Sequence, residues 1–229
     1  MKPAQSTRLT VALSLVVGAV LTVLSIATMP DFSDGQVSRL DAIAATPLAT
    51  LSVVTWLLSQ IFIAVGILGV AHLVRHRTPV LAATSASLVG LSCFGHIVYG
   101  GVSLVMLEMA QDPDGIQTHA AVLDRLESGV AIPFMAAGLV GLVLGFIVLS
   151  AALWRARLGP RWLGPALLLW LVVEFVGSAL SEWSGPASAL LFAGVFAVLA
   201  HIVLRSSLEH WQTAAEADER IPAGLPVSV

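Results

Sequence analysis

Two ionisable residues, His96 and Glu174, stand inside long apolar runs. A charged side chain at a bilayer centre costs at least about 2.5 kcal/mol, so such residues mark sites that use the charge or neutralise it. Each belongs to a polar stripe. Ser85, Ser92, His96, Tyr99 and Ser103 recur at intervals of seven, four, three and four, which is one face of a helix. Glu174, Ser178 and Glu182 repeat every four residues, and Ser14, Gly18, Thr22 and Ser25 form a third such face. Three faces of this kind point to a common polar core with His96, Glu174, Tyr99, Ser92 and Ser178 as its candidate residues. The core reads either as a cavity handling a proton or a solute, or as a hydrogen-bond network that holds helices together. Measured from Pro79 and Trp162, His96 and Glu174 lie about 26 Å and about 18 Å along their helices, close enough in level to meet.

Other chemistry is sparse. His72 and His201 fall at similar depth near the ends of two apolar runs, the arrangement in which membrane cytochromes hold haem, but no second pair accompanies them. With no HExxH or CxxC spacing, the expectation is neither metal nor cofactor. The single cysteine, Cys93, excludes an intramolecular disulfide. Ala137, Gly141 and Gly145 form a small-residue seam suited to close packing, within the chain or in a homo-oligomer. Nothing in the chain suggests a nucleic-acid surface or a phosphate-binding loop.

The elements that position these residues follow from composition. Of 229 residues, 57% are hydrophobic and 11% charged, against about 25% charged in a soluble domain. The chain therefore reads as an all-α integral membrane protein with six transmembrane helices in one bundle, at residues 9–29, 47–74, 79–109, 133–154, 162–183 and 186–205. Thr46-Pro47, Thr78-Pro79 and Ser184-Gly185-Pro186 put a capping residue ahead of a first-turn proline, whose missing N–H costs nothing there. The first run is too long for a signal-peptide core and reads as a retained helix.

Lys and Arg set the orientation. With both ends cytoplasmic, Lys2, Arg8, Arg75, Arg77, Arg155, Arg157, Arg161, Arg205 and Arg220 lie inside and only Arg39 and Arg125 outside. Lipid tails and cytoplasmic anionic headgroups are the expected partners. Trp154 and Trp162 belong at the inner interface and Trp183 at the outer one. Ten Arg against one Lys fits a high-GC bacterial genome, and hence a multi-pass inner-membrane protein.

Two outer segments carry more than loop chemistry. His119, Val122, Leu123 and Leu126 predict a short amphipathic helix over 117–128, and 37–44 reads similarly. Arg39-Leu40-Asp41 precedes Pro47 as Arg125-Leu126-Glu127 precedes Pro133, and each following helix ends in Arg-x-Arg. This suggests repeated helical hairpins, with the last two helices as a third. The segment 206–229 reads as a mobile cytoplasmic tail beyond a transmembrane domain at 1–205. For function, small-solute or proton-coupled transport through the polar core leads. A non-catalytic assembly or sensor component and a membrane enzyme or redox protein using His96 and Glu174 are the alternatives, and no motif favours an enzyme.

Overall fold

Apolar runs of twenty or more residues leave the backbone little choice, because without water every amide must be satisfied within the segment. The computed structural model describes residues 3–30, 35–181 and 183–212. These form α1 (Pro3–Ala27), α2 (Gln36–Ala45), α3 (Ala49–Val74), α4 (Pro79–Met109), α5 (Ile116–Glu127), α6 (Ile132–Ala156), α7 (Leu163–Phe175) and α8 (Ser184–Arg205), with 3-10 turns at Gly177–Ala179 and Leu208–Trp211. Among the described residues, five helices (α1, α3, α4, α6 and α8) are long and apolar enough to cross a membrane. Their outward faces expose Leu13, Leu68, Phe94, Val140 and Leu190, a surface matched to lipid tails and not to water. This is a helical, multi-pass membrane architecture.

The fifth expected span departs from expectation. Regular helix covers only Leu163–Phe175, about 20 Å of rise and short of the roughly 30 Å hydrocarbon layer. The chain then tightens into the 3-10 turn and folds back toward α8. A Cβ on Gly177 would come within 3.0 Å of Ser184 Cβ, so the return is close, and Gly177, Ser178 and Ser181 are poor helix formers. Glu182 lies outside the described residues. At the other extreme α1 begins at Pro3 and not at Leu9, which places Arg8 within the helix.

The six long or apolar helices close into a ring. α1 packs on α3, α3 on α4, α4 on α6, α6 on α7, α7 on α8, and α8 returns to α1. Small residues allow the tightest of these contacts. A Cβ on Gly95 of α4 would fall 2.5 Å from the Gly138 nitrogen of α6, and one on Gly141 would fall 2.7 Å from the Leu88 carbonyl. The seam expected at Ala137, Gly141 and Gly145 therefore runs through Gly138, Gly141 and Gly145, and it packs within the chain. Between α1 and α3, Ser25 Oγ donates to the Ser52 carbonyl and Ser52 Oγ to the Ser25 carbonyl, each at 2.9 Å.

The interior divides into two cores. The larger gathers Leu15, Val70, Leu149, Leu167, Leu199 and Val203 at the end of the ring that carries the Arg-x-Arg sequences. The smaller joins Leu40 and Ile43 of α2, Met106 of α4 and Leu123 of α5 at the opposite end. There α2 and α5 lie against each other, with α2 also on α4. The amphipathic reading of both segments holds, but the buried face of α5 is Ala120 and Leu123. Val122 is exposed, Leu126 is half-buried, and His119 turns away to pair with Asp112 at 3.1 Å.

Trp154, Trp162 and Trp183 are all exposed at helix ends. The tail begins by docking: Trp211 is buried, its Nε1 donates to Ser206 Oγ at 2.8 Å, and its ring stacks on His72. The remainder of the expected mobile tail, 213–229 with Arg220, lies outside the described residues, as do Asp31 and Asp34.

Candidate functional site

Between the two cores the ring encloses a chamber of about 520 Å³. Its floor is aromatic. Phe146 of α6 meets Trp170 of α7 edge-on at 5.0 Å, and Trp170 meets Phe192 of α8 at 4.9 Å between ring centroids. All three also belong to the larger core, so they separate the chamber from the solid-packed end. Ile43, Ala49 and Met106 belong to the smaller core and line the opposite side. The walls are apolar over most of their extent, through residues such as Ile26, Ile63 and Leu142, with polar groups at a few points.

Those points include most of the expected site. Ser92, His96 and Tyr99 of α4 line the chamber, as do Glu174 of α7 and Thr22 and Ser25 of α1. His96 and Glu174 share the chamber, yet no hydrogen bond joins them among the described residues. Glu174 accepts a short hydrogen bond from Ser188 Oγ of α8. His96 lies 3.4 Å from Ser92 Oγ through Nδ1 and meets Trp56 edge-on at 5.4 Å. It is seated against Gly138, where a Cβ would come within 3.2 Å of the imidazole. Ser92 itself donates to the Gly138 carbonyl at 2.8 Å, so it serves the α4–α6 seam. The side chain of Ser178 lies outside the described residues.

Part of each polar stripe is therefore packing chemistry. Ser85 donates to Ala82 and Thr22 to Gly18, each within its own helix, the usual way a hydroxyl is satisfied in an apolar helix. Ser25 and Ser188 combine both roles, since they line the chamber and bond across helices.

Tyr99 belongs to a second arrangement, at the end of the chamber where α2 and α5 pack together. Its hydroxyl donates to Glu127 Oε1 at 2.6 Å and accepts from Arg39 at 3.2 Å. Arg39 reaches Glu127 at 2.9 Å, and Gln36 Nε2 donates to the other carboxylate oxygen at 2.7 Å. Burial pushes the Glu127 carboxyl up. The Tyr99 hydrogen bond, the Arg39 charge and the bonds from Arg39 and Gln36 outweigh that and hold it below the ordinary carboxylate range. In the sequence Arg39 and Glu127 stand as members of two similar motifs, and neither motif by itself pairs them. Opposite charge on two amphipathic segments flanking one bundle end was the available signal.

The haem candidates are placed differently from each other. Both ring nitrogens of His72 are engaged, Nε2 with the His210 carbonyl at 2.7 Å and Nδ1 with Arg75. His201 is exposed on α8. Among the described residues no three His, Cys, Asp or Glu side chains converge as a metal site would need. Comparison with protein-family models, with curated proteins and with solved structures found no match for this chain.

Proposed function

We propose that this chain is a six-pass membrane protein with both ends on the cytoplasmic side, and that it takes a small solute into the central chamber from the outer face. The observation that carries the reading is the convergence of His96, Tyr99 and Glu174, from two different helices, on one chamber of about 520 Å³. Small-molecule sites typically span about 300–1,000 Å³, with apolar walls and a few placed polar groups. In this reading α7 and its 3-10 turn together make the sixth crossing, and the basic residues at the larger core face the cytoplasm. α2 and α5 then stand as matching parts of repeated hairpins at the outer mouth, and the bilayer is that of the bacterial inner membrane.

Two roles fit such a chamber. Transport requires that it open to the cytoplasm in a second state. A receptor or sensor role requires only the outer opening, and the solid packing of Leu15, Val70, Leu149 and Leu199 beneath the aromatic floor favours it. Single cysteines at Thr22, Val53 and Ser103, in a Cys93→Ala background, separate the two. A membrane-impermeant thiol reagent applied outside should modify all three. Modification from the cytoplasmic side as well identifies a transporter; modification from outside alone identifies a receptor. Failure to react from either side would mean a closed, dry packing defect and would end the solute-binding reading.

A further inference from the structure

We infer that the chamber is built for a lipophilic organic cation, bound with its charge between the Glu174 carboxylate and the aromatic floor. The inference rests on the solute-binding reading above and names the class of solute.

Among the described residues that line the chamber, Glu174 is the one carboxylate. Its hydrogen-bond partner is the neutral hydroxyl of Ser188, and among the described residues no ion pair reaches it. A carboxylate so placed lacks the countercharge that a low-dielectric site demands. Arg39 also lines the chamber, but its guanidinium is matched by Glu127 at 2.9 Å. Among the described residues, the acid near the floor therefore has no ion-pair partner.

The groups next to Glu174 suit a cation as well. Trp170 lies one helical turn before Glu174 on α7, and Phe192 one turn after Ser188 on α8. These two rings meet at 4.9 Å, and both line the chamber with Glu174 and Ser188, so the carboxylate and the aromatic rings border neighbouring parts of it. A cation within about 6 Å of an aromatic ring is attracted by its quadrupole, more strongly when water is excluded. The apolar walls then accept an apolar body. A hydrated metal ion is a poor fit, since no three ligating side chains converge among the described residues.

The experiment uses the full-length protein in nanodiscs and two ions of nearly one shape, tetraphenylphosphonium and tetraphenylborate. Binding is followed by tryptophan fluorescence, which Trp170 and Trp56 report from the chamber itself. The phosphonium should bind at least ten-fold more tightly than the borate. Glu174→Gln should weaken the phosphonium at least ten-fold, and Glu174→Asp should keep most of the affinity. Equal affinity for the two ions, or an unchanged phosphonium affinity in the Gln variant, overturns the inference. Should the Gln variant fail to fold, wild-type protein decides the matter through carbodiimide modification of Glu174. Phosphonium should slow that modification several-fold and borate should not; absence of protection overturns the inference. If neither ion binds while the chamber cysteines react with the impermeant reagent, the cation assignment fails alone. If those cysteines are also inert, the solute-binding reading fails with it.

Discussion

Arg39 and Glu127, 88 residues apart in sequence, meet at 2.9 Å and tie α2 to α5 at one end of the chamber. Both side chains are only about one-fifth exposed, at 22% and 21%, so solvent weakens the pair less than it would a surface ion pair. Tyr99 and Gln36 complete the carboxylate's hydrogen bonds, which is the condition under which a sheltered pair stabilises.

The first prediction follows from that arrangement. Glu127 is held below its ordinary value of 4.5 in the folded protein, so its deprotonated form favours folding. The contribution is fully present above pH 4.5 and is lost as the pH falls through the lower folded value. Thermal unfolding in detergent should show this acid limb, and Glu127→Gln should flatten it. At neutral pH Arg39→Met should cost roughly 1–3 kcal/mol, since it leaves the carboxylate short of a partner. An unchanged acid limb in the Gln variant would show that another group sets it.

The second concerns the seam between α4 and α6. Gly95→Ala brings a methyl group to within 2.5 Å of two backbone atoms, Gly138 N and Phe134 O. Backbone cannot swing aside as a side chain can, so the helices must separate, at a cost of about 1–3 kcal/mol. Gly101→Ala on the same helix meets nothing within 4 Å and should be neutral or slightly stabilising. Denaturation of the two variants side by side makes the comparison, and equal stabilities would contradict it.

A third tests orientation. Reporter fusions after Arg77, Arg157 and Arg205 should give a cytoplasmic signal, and fusions at Gly35 and Gly115 an external one. An external signal at Arg157 would reverse the proposed mouth of the chamber along with the topology.

The fourth concerns the docked start of the tail. Trp211 is only 5% exposed and stacks on His72 at 5.4 Å. Trp211→Ala should cost about 3 kcal/mol, the low end for a buried tryptophan, because the segment after α8 can detach instead of leaving a cavity. Protease digestion should cut the variant near Ser206 faster than the parent; indifference would mean that the dock adds little.

Helix identity was legible from hydropathy and proline punctuation because both act locally. The long helices α3 and α4 end where the charges and prolines say they should. The early end of α7 was obscured, since the apolar run continues past Phe175 and only Gly177 and the following serines hint at the break. Within the site, stripe periodicity puts His96 and Tyr99 on a shared face of α4, and both line the chamber. It could not say which helix each would meet. Glu174 finds Ser188 because α7 and α8 are neighbours in the ring, and neighbourhood is a property of the assembled bundle. The aromatic floor was hidden for the same reason: Phe146, Trp170 and Phe192 come from three helices and look like ordinary apolar residues in each.

The contact between α1 and α8 also bears on how the protein is made. Helices inserted in order can each pack on the one before, but the face of α1 that meets α8 gains that partner only when α8 arrives. Assembly of the ring therefore includes a closure step joining α1 to α8, reinforced where Arg8 donates to the Ser206 carbonyl at 3.0 Å. Until then the chamber has an open side toward lipid, and a truncated chain lacking α8 would be a ready substrate for membrane quality-control proteases. Supplying α8 as a separate polypeptide should rescue such a chain, and pulse-chase measurement of its lifetime, with and without the added helix, reads that closure directly.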